Sequence, residues 1–543
     1  MKKYIIPTLT IACLLLGFLL GNAISNKAAA QRFYIHNGQI FSSTSKIDQL
    51  LQLMQSAYVE EIDTDSITDE VMQDLVQKLD PHSAYIPKKD LEIVNSELSA
   101  SFSGIGVQFN IQNDTVHIVA VISGGPSEGV GILAGDKIVE VDDSVFVGKR
   151  INNEKVMHTL RGEKGTQVTL GIKRSETPET LSYTVTRGDI PVHSVDAKFL
   201  IPTQAGGVHH IDKIGFVRVN KFGENTYDEF ISALATLKMQ GAKGYIVDLR
   251  ENSGGFMDQA IRMANEFLES GELIVYSEGR AYPKYEARAN GAGRFKQVPL
   301  IVLIDDFSAS ASEIFSGAMQ DNDRAQIIGR RSFGKGLVQQ QLPFPDGSAV
   351  RLTVARYYTP SGRCIQKPYK LGEQDDYQKE LLERFERGEF YNADSVHLQD
   401  STLYFTKSGR VVYGGGGIMP DIFVGRDTTL NTPYFNRCVN LAYTYQFAYR
   451  YTDAHRKQLS LFKDWKALEK HLLEANWLPE FIAFAKEKGI EPNEAQIEKS
   501  RPLLTRLINA YIVRNILGDD GFFPLFERDD EITKKAVEVM SRM

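Results

Sequence analysis

Two short apolar runs, Gly244-Tyr-Ile-Val-Asp-Leu-Arg250 and Pro299-Leu-Ile-Val-Leu-Ile304, each give way to a helix-period stripe. After the first, Glu251-Asn-Ser-Gly-Gly255 breaks the chain sharply, and Met257, Ala260, Ile261, Ala264 and Phe267 then recur on one helical face. After the second, Ala311, Ile314, Phe315, Ala318 and Met319 follow the i, i+3, i+4, i+7, i+8 pattern of a helix packed on a core. A strand, a turn and a helix, used twice in succession, restrict this part of the chain to an α/β core.

The segment between the second strand and its helix carries the chemistry. It reads Ser308-Ala-Ser310-Ala-Ser312-Glu313, so Ser310 falls at a helix N-terminus, where unpaired N–H groups and the dipole favour developing negative charge. A serine there is ordinarily an N-cap. It can also serve as a nucleophile, with the N–H of Ala311 as an oxyanion donor. Lys335 follows 25 positions later (310 to 335), flanked by Gly334 and Gly336, which let backbone approach on both sides. A lysine base must be neutral, so its pKa has to fall well below about 10.4, and burial in an apolar site achieves that. Gln339, four residues on, is placed to hydrogen-bond the amine without adding charge. Gly329 to Lys335 also matches the first part of a phosphate-binding loop, but Gly336 stands where that loop needs Ser or Thr for magnesium.

Ser308-Ala-Ser310-Ala-Ser312-Glu, then Phe333-Gly-Lys335-Gly and Gln339, resembles the signature of the carboxyl-terminal processing peptidases, or tail-specific proteases. The resemblance covers roughly residues 45 to 425. It implies that Ser310 is the nucleophile, Lys335 the general base and Gln339 the residue that orients it, with no catalytic histidine. Asp248-Leu-Arg-x-Asn-x-Gly-Gly resembles a second family motif, whose glycine N–H completes the oxyanion hole together with Ala311; Gly254 and Gly255 are both candidates. Ser308 and Ser312 read as helix-start hydroxyls, and Glu313 and Asp321 as helix anchors or partners of Arg324. Leu79-Asp-Pro-His-Ser83 resembles the family too, with His82 read as a turn or packing histidine. The nearest histidine pair to the serine segment, His209 and His210, has no pattern supporting a catalytic role. The charged stretch from about 374 to 389 is expected to form a surface helix or insertion, and the four glycines from Gly414 to Gly417 a structural turn.

Residues 98–188 read as short strands with glycine turns and look like a PDZ domain, either inserted in the core or preceding it. Such domains hold a C-terminal carboxylate in backbone N–H groups and add the peptide as a strand. Gly104, Ile105, Gly106 and Val107 are the expected carboxylate loop. Upstream, Met-Lys-Lys and an apolar run from Tyr4 to about Ile24 suit a signal sequence or, by length, an uncleaved membrane anchor, although Ala28-Ala-Ala30 offers a cleavage site. The expected organisation is therefore a multidomain α/β protein. It comprises a signal or anchor (1–30), an N-terminal helical region (31–97), a PDZ domain (98–188), a peptidase core (189–427) and a mostly helical C-terminal extension (428–543).

Across 543 residues, 62 basic and 69 acidic side chains leave −7, so no basic field points to nucleic acid. Three cysteines give no metal spacing, and neither metal nor cofactor is expected. The resemblance implies an exported endopeptidase, periplasmic and anchored to the inner membrane, acting on proteins or peptides with free C-termini. An inactive PDZ scaffold is the alternative, and the extension is a candidate for oligomer or adaptor contacts.

Overall fold

A computed structural model describes residues 46–96, 98–112, 114–122, 124–174, 177–203, 211–372, 374–397 and 402–543, with the two-residue strands Ile35–His36 and Gln39–Ile40. The expected signal or anchor (1–30) and the His209–His210 pair lie outside the described residues. Among the described helices, none is long and apolar enough to cross a membrane.

The chain forms two compact units. The first, residues 1–75, contains helix α1 (Lys46–Ala57) and most of α2 (Thr64–Gln77). The second, residues 76–543, starts with strand β1 (Ala84–Ile86) and helix α3 (Lys88–Ser96).

Strand β2 (Ser101–Gly104) leads into a small β-rich domain. Its sheet takes β3 (Val107–Gln112), β4 (Thr115–Val121), β5 (Lys137–Val141), β6 (Gln167–Lys173) and β7 (Thr180–Thr186) in the order β7-β6-β5-β4-β3. Helix α4 (Asn153–Leu160) precedes β6, and its Val156 and Leu160 join Ile118, Ile138, Leu170 and Ile172 in the domain's own core. Strand β8 (Gly188–Pro191) then pairs antiparallel with β2, setting Gly188 opposite Gly104. The domain thus leaves and re-enters through one two-stranded neck. Because β1, upstream of it, pairs with a strand of the α/β core that follows, the domain is an insertion rather than a preceding module.

The core follows with β9 (Val195–Pro202), β10 (Lys213–Val219), α5 (Thr226–Met239), β11 (Gly244–Asp248), α6 (Met257–Asn265), β12 (Leu273–Glu278) and β13 (Tyr285–Arg288). It continues through β14 (Leu300–Ile304), α7 (Ala311–Asp321), β15 (Gln326–Gly329), β16 (Leu337–Pro343), β17 (Ala349–Tyr358), α8 (Gln374–Glu386) and β18 (Ile422–Phe423). The main sheet has the order β9-β10-β11-β14-β15-β18, parallel except for β9. A second sheet, β13-β12-β17-β16 with β1 on β17, is antiparallel.

The two apolar runs are apolar throughout because both faces of the main sheet are covered. Tyr245, Val247, Leu300, Val302 and Ile304 face the cluster that holds α5, α6 and α7. Alternating with them, Ile246, Ile301 and Leu303 face a second cluster, closed by Ile532, Ala536 and Met540. Those three residues belong to the end of the C-terminal extension.

That extension comprises α9 (Pro433–Asn440), α10 (Tyr443–Leu459), α11 (Trp465–Glu474), α12 (Leu478–Glu487), α13 (Glu494–Leu517), α14 (Asp519–Arg528) and α15 (Glu531–Met540). Helices α9 to α14 share an aromatic core around Phe447, Trp477, Phe481 and Phe484. Helix α15 lies on the main sheet, where Met540 Sδ occupies the space beside Gly244. Helix α10 also touches the inserted domain: Arg456 donates to the Ala134 carbonyl at 3.0 Å.

Two local expectations differ from the structure. Asp321 pairs with the fully buried Arg363 at 2.7 Å, not with Arg324, whose guanidinium instead donates to the carbonyls of Phe267, Phe295 and Val298. The charged stretch forms α8, but it is no simple surface helix. Arg384 is buried and donates to the carbonyls of Arg331 and Ser332, just upstream of Lys335. Charge in the sequence masked a helix whose buried cation ties down backbone.

Candidate active site

The serine segment and the Gly-Gly turn meet because β11 and β14 are adjacent parallel strands that end at the same level, Asp248 opposite Leu303. Asn252 is the joint between them. Its carbonyl accepts from the Ala309 N–H (3.0 Å) and the Ser312 hydroxyl (2.9 Å), and its side-chain amide donates to the Val219 carbonyl. Ser308 Oγ donates to the Leu249 carbonyl at 2.8 Å. Ser308 and Ser312, expected as helix-start hydroxyls, therefore also bolt the turn to the helix.

Ser310 precedes α7 with φ +55° and ψ −113°, a conformation that costs a side chain about 1–3 kcal/mol and persists only where its surroundings enforce it. Glu313 enforces it. This fully buried carboxylate accepts from the N–H groups of Ser310 (2.8 Å), Gly334 (2.7 Å) and Lys335 (2.8 Å) and from Ser332 Oγ (2.5 Å). Burial pushes the Glu313 carboxyl up, and the four hydrogen bonds pull against it. From another direction the buried Tyr357 hydroxyl lies 3.0 Å from the Ser310 carbonyl and 2.5 Å from that of Lys335. Ser310 and Lys335 are thus brought together through their backbones, by one acid and one phenol.

Lys335 Nζ donates to Gln339 Oε1 at 3.0 Å, and Gln339 Nε2 donates to the His82 carbonyl at 2.5 Å. No hydrogen bond joins Lys335 Nζ to Ser310 Oγ among the described residues. Burial first, then the positive charge of Arg351, hold the lysine below its ordinary pKa, against the opposing pull of Glu313 and Asp80. Asp80 shapes the His82 loop, accepting from the N–H groups of His82 and Ser83, both at 2.9 Å. The imidazole of His82 packs edge-on against Tyr377 and shares a 2.8 Å hydrogen bond with its hydroxyl. Burial and then Lys335 push that ring down to about 4, so it is neutral at pH 7. This environment matches a packing histidine.

The candidate oxyanion donors separate by their existing bonds. The Gly254 N–H is already donated to Asn252 Oδ1 at 2.9 Å, whereas those of Gly255 and Ala311 have no acceptor among the described residues. Gly254 has a different reason to be glycine: a Cβ there would lie 2.7 Å from Ser310 Cβ. At Gly255, held by the Phe222 N–H to Gly254 and by the Phe256 N–H to Phe222, a Cβ would strike the Phe222 carbonyl at 2.3 Å.

In the inserted domain, Gly104 ends β2, Ile105 is buried, Gly106 has φ +77° and Val107 opens β3. Ile105 and Gly106 spend their carbonyls on the N–H groups of Ser127 and Ile122. Strand β3 ends its sheet, so its outer edge carries no strand among the described residues, the arrangement strand addition requires. Arg161 stacks over Phe102 and donates to Ser96 Oγ at 2.6 Å, tying the domain to α3.

Several residues around the site were missed in the sequence: Glu313 in its full role, Tyr357, Asn252, Arg351 and the His82 carbonyl. For Glu313 a signal existed, since Ser310-Ala-Ser-Glu313 is a capping-box pattern, Ser at the N-cap and Glu three residues on. The others depend on partners in separate elements, from 16 residues away for Arg351 and Lys335 to 257 for the His82 carbonyl and Gln339.

The model of peptidase family S41 matches residues 213–378, that of the PDZ domain residues 103–185, and that of a family of unknown function residues 434–518. The carboxy-terminal processing protease CtpA of Bacillus subtilis is 33% identical over 343 residues, 62% of this chain and 71% of its own. The carboxy-terminal-processing protease of Bartonella bacilliformis is 33% identical over 345 residues, 62% of this chain and 76% of its own. The chain belongs to peptidase family S41, the carboxy-terminal processing proteases, and is a serine-type peptidase that carries a PDZ domain.

Proposed function

We propose that this peptidase is an exported Ser–Lys endopeptidase that cleaves polypeptides held by their free C-termini in the inserted PDZ domain. The observation that supports it most is the convergence of Ser310 and Lys335 on Glu313 and Tyr357, with Lys335 depressed by burial. Ser310 Oγ attacks the scissile carbonyl as Lys335 Nζ, neutral at the moment of reaction, takes its proton. The C–O bond forms, the carbonyl π electrons move to oxygen, and the N–H groups of Ala311 and Gly255 stabilise that oxyanion. The oxyanion then collapses, and the C–N bond breaks as Lys335 gives its proton to the leaving amine. Water, giving its proton to Lys335, attacks the acyl carbon, so that the bond to Ser310 Oγ breaks and Oγ takes the proton back. Gln339 keeps one amine hydrogen occupied, so the lone pair is directed elsewhere. The separation of Lys335 Nζ from Ser310 Oγ suits a resting enzyme whose hydrogen bonds tighten once substrate is bound.

The PDZ segment presents the tail while an upstream stretch reaches Ser310, which raises the local substrate concentration. Export rests on the Met-Lys-Lys start and the apolar run to about Ile24, which suit an anchor in the inner membrane with the enzyme in the periplasm.

Ser310→Ala and Lys335→Ala should each abolish cleavage of an unstructured protein, and the double variant should be little slower, because the two act as one unit. Lys335→Arg should not restore it, since a guanidinium does not give up its proton. Substantial turnover by either folded alanine variant would favour the inactive scaffold or another nucleophile.

Removing a neighbouring positive charge should make Lys335 easier to protonate. In Arg351→Gln the acid limb of the kcat/KM profile should therefore move to higher pH, and an unmoved or lowered limb would count against a lysine base.

Amidating a substrate peptide's C-terminus removes its charge and keeps its sequence. A marked fall in kcat/KM is expected; an unchanged value would eliminate carboxylate recognition.

A further inference from the structure

The Asp-Leu-Arg motif that leads into the Gly-Gly turn sits in a buried charge cluster that draws acids from outside the peptidase core. Arg250 is buried, and Arg218 is nearly so. Between them stands one fully buried carboxylate, Asp248, which accepts from Arg218 at 2.7 Å and from Arg250 Nε and Nη2 at 2.8 Å each. Glu251, the other core acid in direct ion-pair contact with Arg218, is 71% exposed. Two further acids come from the C-terminal extension. Glu527 in α14, 1% exposed, accepts from Arg250 Nη2 at 2.6 Å, and Asp530 accepts from Arg250 Nη1 at 2.7 Å. Thr533 Oγ1 donates to Glu527 at 2.7 Å and closes the cluster. Charges taken out of water cost several kcal/mol each unless paired, so this cluster cannot lose its acids and keep its geometry.

Arg250 is connected to the site by a short, fully bonded path. Its neighbour Leu249 offers its carbonyl to Ser308 Oγ and to the Asn252 N–H. Asn252 in turn holds Gly254 through Oδ1 and receives Ala309 and Ser312 on its carbonyl. Arg250 thus stands five residues before Gly255, and its neighbour Leu249 is hydrogen-bonded directly to the Ser308–Ser310 segment.

From this arrangement we infer that Glu527 and Asp530, supplied by the C-terminal extension, are positioning residues for the oxyanion turn, so that the extension completes the active site from behind. The inference rests on Gly255 and Ala311 serving as oxyanion donors. A displacement of about 1 Å at such donors is enough to cost on the order of 10²-fold in rate.

The test uses the full chain with Glu527→Gln and Asp530→Asn. Both keep side-chain shape, and Asn caps α15 about as well as Asp does, which limits the structural cost at residue 530. Rates are scaled to the folded fraction from thermal melts. Three quantities are measured: kcat and KM for a peptide substrate, affinity for a peptidyl boronate that mimics the tetrahedral intermediate, and affinity of the PDZ domain for a free-tailed peptide. We expect kcat and boronate affinity to fall together by about tenfold or more, with KM and tail affinity within about twofold. Asp530→Asn decides the matter if Glu527→Gln does not fold. Unchanged kcat and boronate affinity in folded variants, with Ser310→Ala inactive in the same assay, would overturn this inference alone. Turnover by Ser310→Ala would overturn the dyad reading and this inference with it.

Discussion

The carboxylate of Glu313 lies in the core with four donors converging on it, three of them backbone N–H groups from two distant segments. One end of that array is Ser310 at a strained φ of +55°; the other is Gly334-Lys335, where Gly334 has φ +91°. An acid in water would never hold such a geometry, because each N–H could be solvated as well elsewhere. In the buried interior, leaving any of these donors unpaired costs about 1–3 kcal/mol, so the array is self-enforcing. Tyr357 repeats the logic on the carbonyl side. The backbone around Ser310 and Lys335 is therefore fixed by the fold itself.

That fixed centre needs a rigid sheet beneath it. The strands β11 and β14 are buried on both faces, one by α5, α6 and α7 and the other by α15. The C-terminal extension is thus part of the peptidase's sheet packing as well as a helical bundle of its own. Its contact through Arg456 to the Ala134 carbonyl also links the inserted domain to the same body. Three regions far apart in sequence meet on one frame.

Much of this was legible from the chain. The strand–turn–helix units, Ser310 at a helix start, Lys335 between glycines with Gln339 four residues on, and the β-rich segment after residue 98 all rest on local patterns, and local patterns survive into the structure. Which of the Gly254 and Gly255 N–H groups is already bonded was not a local matter. It depends on Asn252 Oδ1 taking the Gly254 N–H, a bond that sequence does not display. Nor did sequence show that Arg384, in a run of charges, would be buried, or that Asp321 would pair with Arg363 some 42 residues away. The role of α15 was hidden for a related reason. Ile532, Ala536 and Met540 look like any amphipathic stripe, and which surface they cover is decided by tertiary packing.

The central claim is that Ser310 is a nucleophile activated by Lys335. Its most direct test is the reaction of the full chain with an organophosphonyl fluoride across a range of pH, read by intact mass and peptide mapping. The account predicts a single adduct on Ser310, formed faster as pH rises, and essentially lost in Lys335→Ala. Labelling at another serine, or labelling of Ser310 that is as fast without Lys335, would contradict it.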